Sequence, residues 1–409
     1  MIAYHFPPLA GSSGIQRTLR FVQHLPALGW EPLVLSADPR AYEKTSNDLM
    51  GDVPPDIEVR RAFALDTARH LQFRGRYFGW MARPDRWVSW KLGAVREGMR
   101  LIAKYKPQVI WSTYPIATAH LIGSALHQRT GLPWIADFRD PMAQEDYPTD
   151  PKTWQSYKDI EEDALKRAHR SVFTTPGAAQ IYRERYPQAA KRVVVLENGF
   201  DEESFPPRAA GALNGTAKPA GQPLVLLHSG IVYPSERDPT QLFVALKRLR
   251  DAGKVSAADI RIRFRASVHD DLLQSLANEH GVPELIELCP AIPYRAALAE
   301  MLEMDALLVM QASNCNAQIP AKIYEYLRAG RPILGLTDPQ GDTAGVLLGA
   351  GLRDIARLDS ADEIEAMLPV FLAAVRAGRA GLPQPEAVHQ ASRQGRSQSL
   401  VDLLESAAG

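Results

Sequence analysis

Two residues that could bind a nucleotide stand three positions apart in the second half of the chain. Lys322 and Glu325 belong to the stretch QIPAKIYEYLRAGRPIL, residues 318–334, which predicts a short helix. Residues at this spacing share one helix face. A helix N-terminus and an adjacent lysine attract phosphate, and an acid one turn later could accept hydrogen bonds from a ribose diol. The alternative is an ordinary ion pair between the two side chains on a solvated face.

Proline and glycine residues predict the limits of this helix. Pro320 suits the first turn, because proline has no N–H to lose there. Gly330 suits the left-handed residue that ends a helix, and Pro332 blocks its continuation into the apolar strand that follows. We therefore expect the helix to begin near Pro320 and to end at Gly330.

A second cation occupies a loop earlier in the same half. Arg237 follows a predicted strand, 224–228, and the glycine Gly230. Its guanidinium could bind a pyrophosphate through two parallel hydrogen bonds. The alternative is an ion pair with one of the acidic residues beside it in sequence. Arg237 and Lys322 together would suit a diphosphate better than either residue alone.

Acidic residues stand at the end of another predicted strand, 134–138. Side chains alternate along a strand, so Asp137 and Arg139 could point the same way. A carboxylate beside an arginine stays ionised and can orient hydroxyl groups or act as a base. Asp140, which Pro141 holds extended, is a second candidate for this role. The alternative is a structural Asp–Arg pair that ties a loop to the strand.

Two further candidates lie in the first half of the chain. Gly14 closes the loop GSSG, which follows an apolar stretch and precedes a helical pattern. This arrangement presents backbone N–H groups to a ligand, although two glycines three apart are a weak signal. His120 lies on a predicted helix, 116–129, where it either faces a binding cleft or is an ordinary surface or core histidine.

The spacing of the histidines and cysteines argues against metal chemistry. The ten histidines form no HxxxH or HxH pair, and the two cysteines form no CxxC pair. The sequence also contains no GxSxG elbow, which disfavours a serine hydrolase. These spacings therefore argue against a tight structural metal site and against a Ser-His-Asp hydrolase.

Alternating strands and helices must position these residues. In the first half the predicted strands are 2–6, 30–36, 109–113, 134–138, 171–175 and 193–196. A second alternation runs over 224–377. Such alternation predicts parallel sheets covered by helices on both faces, with ligands at the carboxyl ends of the strands.

A stretch rich in Ala, Gly and Pro, residues 207–222, separates the two halves and has the composition of a linker. The sequence therefore predicts two domains, 1–206 and 223–384, followed by a helical segment, 385–409. The first strand is short for a buried strand, so we expect a few residues to precede the first methionine of this sequence.

A basic and aromatic segment, residues 69–91, interrupts the first half. It contains six cations and six aromatic residues but only one acid, Asp85. Aromatic rings and cations together favour the surface of an anionic membrane. The alternative is a packed excursion whose aromatic rings belong to the core, with the arginines extending outward.

The charge balance, the cysteine count and the lengths of the apolar runs restrict the possible classes of function. The 409 residues include 47 basic and 47 acidic residues, so a zero net charge gives no reason to expect a nucleic-acid partner. Two cysteines fit a reducing cytoplasm, and no apolar run reaches the length of a membrane span. We expect a cytoplasmic protein, with peripheral contact on the inner face of the plasma membrane if residues 69–91 bind lipid.

Five stretches in this order resemble the GT-B glycosyltransferases, and within them glycosyltransferase family 4, the group 1 transferases. They are YHFPPLAGSSGIQRTLRFVQHLPALGW at 4–30, WIADFRDPM at 134–142, LENGFDEESF at 196–205, LLHSGIVYPSERDP at 226–239 and IPAKIYEYLRAGRPIL at 319–334. The resemblance implies two doubly wound, Rossmann-like domains facing a cleft, with the C-terminal helix returning to the first. It implies retaining transfer of a sugar from a nucleotide donor to a glycan or lipid-linked acceptor in polysaccharide biosynthesis. It also implies that no essential metal or other cofactor takes part.

The resemblance also implies roles for individual residues. Gly14 would lie near the donor phosphates or the acceptor, and Arg237, after the strand-ending Gly230, would bind the diphosphate. Lys322 would share that role, and Glu325 would bind the ribose. The backbone from Asn316 to Ile319 would approach the transferred sugar.

The sequence departs from the family pattern at one position. Typical members carry an acid eight residues before the ribose-binding glutamate, where this chain has Ala317. A related subgroup also lacks this acid, so the resemblance still implies activity. Two alternatives remain: a non-catalytic sugar-nucleotide-binding scaffold, and a GT-B sugar-nucleotide epimerase.

Overall fold

The structure is a computed structural model that describes residues 1–12, 14–207, 219 and 221–409. It divides into two compact units. The first unit comprises Met1–Asn198 and Arg393–Gly409, and the second comprises Gly199–Ser392. Most of the predicted linker, 208–218 and 220, lies outside the described residues.

A parallel sheet forms the centre of the first unit. Its strands are β1 (Val34–Ala37), β2 (Val59–Ala62), β3 (Ile110–Thr113), β4 (Trp134–Arg139), β5 (Arg170–Phe173) and β6 (Val193–Val195). β1 pairs with β2, and β3 to β6 pair in sequence order. Ile2 pairs with Leu35 on one side and Ser112 on the other, so it joins these two groups of strands.

Helices cover the sheet of the first unit. The described α-helices are Ile15–His24, Thr67–His70, Trp90–Tyr105, Thr118–Thr130, Pro151–Arg167, Pro176–Arg185 and Arg393–Ala408. Because both faces of the sheet are covered, β3 and nearly all of β4 are buried. The C-terminal helix contributes Leu400 to a buried cluster that contains Phe21 of the first helix and Trp111 of β3.

The second unit contains a parallel sheet whose strand order reverses at its middle. The strands are β7 (Leu224–Ser229), β8 (Ile260–Arg265), β9 (Ile286–Cys289), β10 (Ala306–Gln311), β11 (Ile333–Thr337) and β12 (Ile355–Ala356). Their spatial order is β12-β11-β10-β7-β8-β9. The chain therefore builds outward from β7 in one direction and from β10 in the other. Such a switch point is where open α/β sheets bind ligands.

Helices also alternate with the strands of the second unit. The described α-helices are Thr240–Asp251, Asp270–Glu279, Tyr294–Glu303, Lys322–Ala329, Asp342–Gly349, Ala361–Arg376 and Pro385–Gln390. The prediction of an α/β protein with two doubly wound parallel sheets is confirmed. In the described ranges, no helix combines the length and the apolar composition needed to cross a bilayer.

The start of the chain differs from the prediction. The expected strand 2–6 is reduced to a single bridging residue, Ile2, because the Phe6 amide bonds to the Tyr4 carbonyl and turns the chain. The strand expected over 30–36 begins only at Val34. The sequence also gave no signal for β2, an edge strand with only one buried residue.

Two helix boundaries differ as well. The helix expected to begin near Pro320 begins at Lys322, and Gly330 ends it in the left-handed conformation, as predicted. The helical run expected at 385–408 is divided into Pro385–Gln390 and Arg393–Ala408. Between these helices the Ala391 carbonyl accepts a hydrogen bond from the Phe200 amide, so the segment is held in the second unit.

Replacing Leu400 with alanine should destabilise the first unit. Leu400 is fully buried on the C-terminal helix, and a buried Leu→Ala change costs about 2–5 kcal/mol of unfolding free energy. The exposed Gln398 on the same helix provides a matched control, Gln398→Ala, which should leave the unfolding midpoint unchanged. Urea denaturation followed by tryptophan fluorescence measures both. Equal midpoints for the two variants would show that this helix does not stabilise the unit.

Candidate functional site

The loops that follow β7 and β10 are tied together at the switch point of the second unit. The Ala312 amide donates to the Glu236 carbonyl at 2.7 Å, and Asn314 Nδ2 donates to the Ser235 carbonyl at 2.9 Å. Both bonds hold the loop that carries Arg237 beside the segment that leads to the helix Lys322–Ala329. The topology thus brings together two stretches that are far apart in sequence.

Lys322 is the first residue of its helix, and its ammonium lies against the end of β7. Nζ is 3.1 Å from Nε2 of His228. A Cβ placed on Gly230 would lie 3.1 Å from the same Nζ, a tight contact that glycine avoids. Gly230 also has a φ of 109°, which a residue with a side chain rarely adopts.

His228 fixes the position of Lys322. The His228 ring is fully buried, and Nδ1 lies 3.0 Å from the Leu308 carbonyl, which can only accept a hydrogen bond. Nδ1 therefore carries the proton, and Nε2 accepts from the Lys322 ammonium. Burial, reinforced by the charge of Lys322, holds the pKa of His228 well below its ordinary value. A neutral imidazole thus orients the lysine without adding charge.

The Lys322 ammonium lacks a neutralising carboxylate contact. In the described part of the chain it makes no ion pair within salt-bridge distance. Burial, followed by the positive charge of Arg237, lowers the pKa of Lys322 to about 7, and the charge of Glu325 opposes this shift. A partly buried cation without a counter-ion is unfavourable, so this position would gain from an anionic ligand.

Arg237 also remains available for an anion. Its guanidinium lies over the Tyr233 ring, with 5.2 Å from Cζ to the ring centroid, and Nη1 donates to the Ile231 carbonyl at 3.3 Å. The closest carboxylate oxygen, of Glu236, is 3.9 Å away. Nε is buried and has no hydrogen-bond partner in the described structure. The structure thus brings Gly230, Arg237 and Lys322 together.

Glu325 lies one turn beyond Lys322, and Tyr294 holds it. The Tyr294 hydroxyl donates to Oε1 of Glu325 at 2.7 Å. Tyr326, on the same helix, bonds to the end of β7, where its hydroxyl accepts from the Ser229 amide at 2.8 Å. These contacts fix the helix and its carboxylate at the same edge of the sheet as Lys322.

Asn316 and Ile319 have different surroundings. Asn316 Nδ2 donates to Oδ2 of Asp338, at the end of β11, at 2.7 Å, and its carbonyl accepts from the Asp342 amide. The Ile319 side chain packs against the apolar cluster beneath the helix. Asn316 therefore joins the segment before the helix Lys322–Ala329 to the loop after β11.

In the first unit, Asp137 pairs with an arginine that the sequence analysis did not consider. Arg17, on the first helix, donates from Nε and Nη2 to the two carboxylate oxygens of Asp137 at 2.9 and 3.0 Å. Both side chains are buried. Thr113 of β3 donates to the same carboxylate at 2.8 Å, and Arg17 Nη2 donates to the Leu196 carbonyl after β6. This pair ties the first helix to three strand ends.

The expected pairing of Asp137 with Arg139 is therefore wrong. The register of β4 shifts between these two residues, and Arg139 has a φ of 63°. This irregularity breaks the alternation of side chains on which the expectation rested. It also leaves the next residue, Asp140, exposed beyond the end of the strand, with Thr174 Oγ1 at 3.4 Å from its carboxylate.

Gly14 lies beside Arg139 and an unpredicted histidine. A Cβ on Gly14 would be 2.5 Å from Nδ1 of His5 and 3.1 Å from Nη1 of Arg139, so no larger residue fits there without displacing them. His5 bonds to Ser12 at 3.0 Å, and burial, with the Arg139 charge, lowers its pKa to about 4. The preceding residue, Ser13, lies outside the described residues.

His120 is a core residue, the second of the two interpretations given above. Its side chain is 0% exposed, and Nδ1 lies 2.8 Å from the Ser112 hydroxyl. The imidazole packs 4.8 Å from the ring of Phe138, and burial lowers its pKa to about 4. A direct role for His120 in substrate binding is not supported by this position.

Sequence reasoning missed His228, Tyr294, Arg17 and His5 as site residues. His228 had a usable signal, because it is a polar residue within an otherwise apolar strand, LVLLHS, immediately before Gly230. Arg17 had none, because its contact with Asp137 joins residues 120 positions apart. Among the described residues, no cluster of three or more His, Cys, Asp or Glu could hold a metal ion.

The first unit also contains a partly open pocket of about 330 Å³. It is lined mainly by apolar side chains, including Trp30, Leu101 and Leu404. Several lining residues, such as Leu33 and Val109, immediately precede β1 and β3, so the pocket lies at the amino ends of the strands. It is therefore separate from Asp140 and Gly14, which lie at the carboxyl ends.

The first unit matches a known family. Residues 13–199 match the model of the glycosyl transferase 4-like domain. A search of curated proteins found no significant match.

Solved structures share the fold of the whole chain. A glycosyltransferase from Rickettsia africae aligns with a TM-score of 0.64 at 12% identity, covering 99% of this chain and 97% of that one. Sucrose-phosphate synthase from Thermosynechococcus elongatus aligns with a TM-score of 0.56 at 15% identity, covering 100% and 95%. The Anabaena protein HepE, in complex with UDP and glucose, aligns with a TM-score of 0.61 at 12% identity, covering 99% and 98%. At these identities the likeness shows a common fold.

Binding of a nucleoside diphosphate should weaken as the pH rises through the pKa of Lys322. The diphosphate is expected to bind the charged ammonium, whose protonated fraction falls above pH 7. If the bound form stays protonated, the dissociation constant rises about five-fold between pH 7 and pH 8. His228 is already neutral in this range. Isothermal titration calorimetry in buffers of different ionisation enthalpy would detect proton uptake on binding.

The control for this titration is Lys322→Met. This variant should bind more weakly and show a flat profile between pH 7 and pH 8. A wild-type profile that is also flat would mean that Lys322 does not titrate in this range or does not contact the ligand.

Proposed function

We propose that this chain is a GT-B glycosyltransferase of the family 4 (group 1) type, and that it is a retaining enzyme that uses a nucleotide sugar. It transfers the sugar to a glycan or lipid-linked acceptor in polysaccharide biosynthesis. The second unit binds the donor. No metal or other cofactor is required in this proposal, because two protein cations would neutralise the leaving diphosphate. The free cysteines, Cys289 and Cys315, suit a reducing cytoplasm.

The observation that carries this proposal is the unneutralised Lys322 ammonium at the switch point of the second unit. It lies against Gly230, with Arg237 in the loop that follows. A diphosphate would supply the missing negative charge to both cations. Glu325, one turn along the helix, would accept hydrogen bonds from the ribose. HepE, which shares the fold, binds UDP and glucose.

The chemical step follows from this arrangement. The bond between the anomeric carbon and the phosphate oxygen breaks, and Lys322 and Arg237 stabilise the negative charge that develops on the diphosphate. The acceptor hydroxyl forms its bond to the anomeric carbon on the same face, and its proton passes to the departing phosphate oxygen. The configuration of the sugar is thereby retained. His228 keeps Lys322 in place throughout.

Within the first unit, Asp140 is the carboxylate suited to orient the acceptor. It is exposed at the carboxyl end of β4, whereas Asp137 is buried and neutralised by Arg17. Arg139 and Gly14 lie nearby and would complete the surface that meets the acceptor. We assign Asp137 a structural role and His120 a place in the core.

Replacing Lys322 should abolish most of the activity. Removing one preorganised donor to a developing anion costs about 100- to 1,000-fold in turnover, so Lys322→Met should fall in that range. The readout is release of UDP or GDP from a panel of nucleotide sugars in the presence of an acceptor. The exposed Lys254 in the same unit offers the control Lys254→Met, which should keep full activity. Nucleotide binding with no turnover of any sugar by the wild type would favour the non-catalytic scaffold.

Substitutions of Asp137 and Asp140 should have separate effects, the first on stability and the second on activity. Asp137→Asn breaks a buried ion pair and should lower the unfolding free energy by about 3–5 kcal/mol. Asp140→Asn removes an exposed charge and should leave stability unchanged while turnover falls on the order of 100-fold through lost orientation. Thermal unfolding and steady-state kinetics measure these two effects. Full turnover in the Asp140 variant would remove its assigned role.

A further inference from the structure

The structure divides the basic and aromatic segment into two parts with different surroundings. In residues 83–91, Trp90 is fully buried and Trp87 bonds to the Ala41 carbonyl through its indole N–H. The only acid of the segment, Asp85, is bound to the Thr118 amide and hydroxyl. This part packs against the core, as the packed interpretation expected. Residues 71–80, by contrast, are all exposed.

Residues 71–80 contain four aromatic side chains that are exposed to solvent. Phe73 is 77% exposed, Phe78 72% and Trp80 69%, and Tyr77 is also exposed. Phe78 and Trp80 stack on each other, with their ring centroids 6.4 Å apart. Solvent-exposed aromatic rings clustered in this way commonly mark an interaction site.

The exposed part is ordered by its backbone. Phe73 and Arg76 exchange two backbone hydrogen bonds, at 2.8 and 3.1 Å, and Arg74 and Gly75 between them both have positive φ. These features describe a tight two-residue hairpin turn. At the base of the projection, Thr67 Oγ1 donates to the Met81 carbonyl at 2.8 Å. The rings are therefore presented on a defined turn.

The charge around the rings is positive. Residues 71–82 contain no acid. Arg74 lies over the Phe73 ring, and neither Arg74 nor Arg76 forms an ion pair with any described residue. Arg86, closer to the core, is already paired with Asp66. Two unpaired guanidinium groups thus stand at the tip among the exposed rings.

We propose that residues 71–80 dock the first unit onto a membrane surface rich in anionic phospholipid. Aromatic side chains partition into the interfacial layer of a bilayer, and adjacent arginines attract anionic headgroups. A projecting turn with rings on it suits a deformable lipid layer better than a rigid protein surface. This proposal does not depend on the sugar-transfer reaction, although it would bring the enzyme close to a lipid-linked acceptor.

Flotation with lipid vesicles tests this proposal. The full chain should float with vesicles that contain phosphatidylglycerol, and should not float with pure phosphatidylcholine vesicles. Removing both charges, in Arg74→Gln with Arg76→Gln, should lower the vesicle affinity on the order of 30-fold at low salt. Replacing both stacked rings, in Phe78→Ser with Trp80→Ser, should lower it at least as much. High salt should weaken wild-type binding through screening.

Matched variants on other surfaces are the controls. Val370→Ser removes an exposed apolar side chain of the second unit, and Arg129→Gln with Arg379→Gln removes two exposed charges elsewhere. These variants should float like the wild type. UDP binding and the thermal midpoint should be unchanged in all variants, which separates this test from that of the proposed function. Absence of flotation by the wild type, equal flotation of wild type and hairpin variants, or equal binding to both lipids would overturn the proposal.

Discussion

The contact between Lys322 and His228 is the interaction on which the candidate donor site depends. It places an ammonium group at the switch point of the second sheet, where β7 and β10 lie side by side. The imidazole can orient this cation because the Leu308 carbonyl fixes its tautomer, but it cannot neutralise the charge. Gly230 then leaves the space that the lysine needs. The result is an oriented ammonium group that has no neutralising carboxylate contact among the described residues.

The first unit also holds a cation at the carboxyl edge of its sheet, but there the charge is neutralised. There the buried Arg17 is neutralised by Asp137, and the pair connects the first helix to the ends of β3, β4 and β6. Once Asp137 is used in this way, the irregularity at Arg139 leaves Asp140 as the exposed carboxylate. Among the described residues, the second unit therefore holds an ammonium group without a carboxylate contact, and the first unit holds an exposed carboxylate.

The sequence predicted the parts of this arrangement that depend on local pattern. Alternating strands and helices gave both sheets, and Gly330 gave the end of the site helix, because its left-handed conformation favours glycine. Contacts between distant residues could not be predicted in this way. The Arg17–Asp137 pair joins residues that only the fold brings together. The bulge in β4 broke the alternation of side chains that the sequence analysis assumed. In residues 69–91, composition indicated cations and rings but could not show that Trp90 is core and Trp80 exposed.

A crystal structure with UDP or GDP bound tests the central claim most directly. The account predicts a diphosphate oxygen within about 3 Å of Lys322 Nζ, a second contact from Arg237, and ribose hydroxyl groups on Glu325. The Lys322–His228 contact should be preserved, because the imidazole only orients the lysine. A diphosphate bound elsewhere on the second unit, with Lys322 still facing His228 alone, would contradict the account.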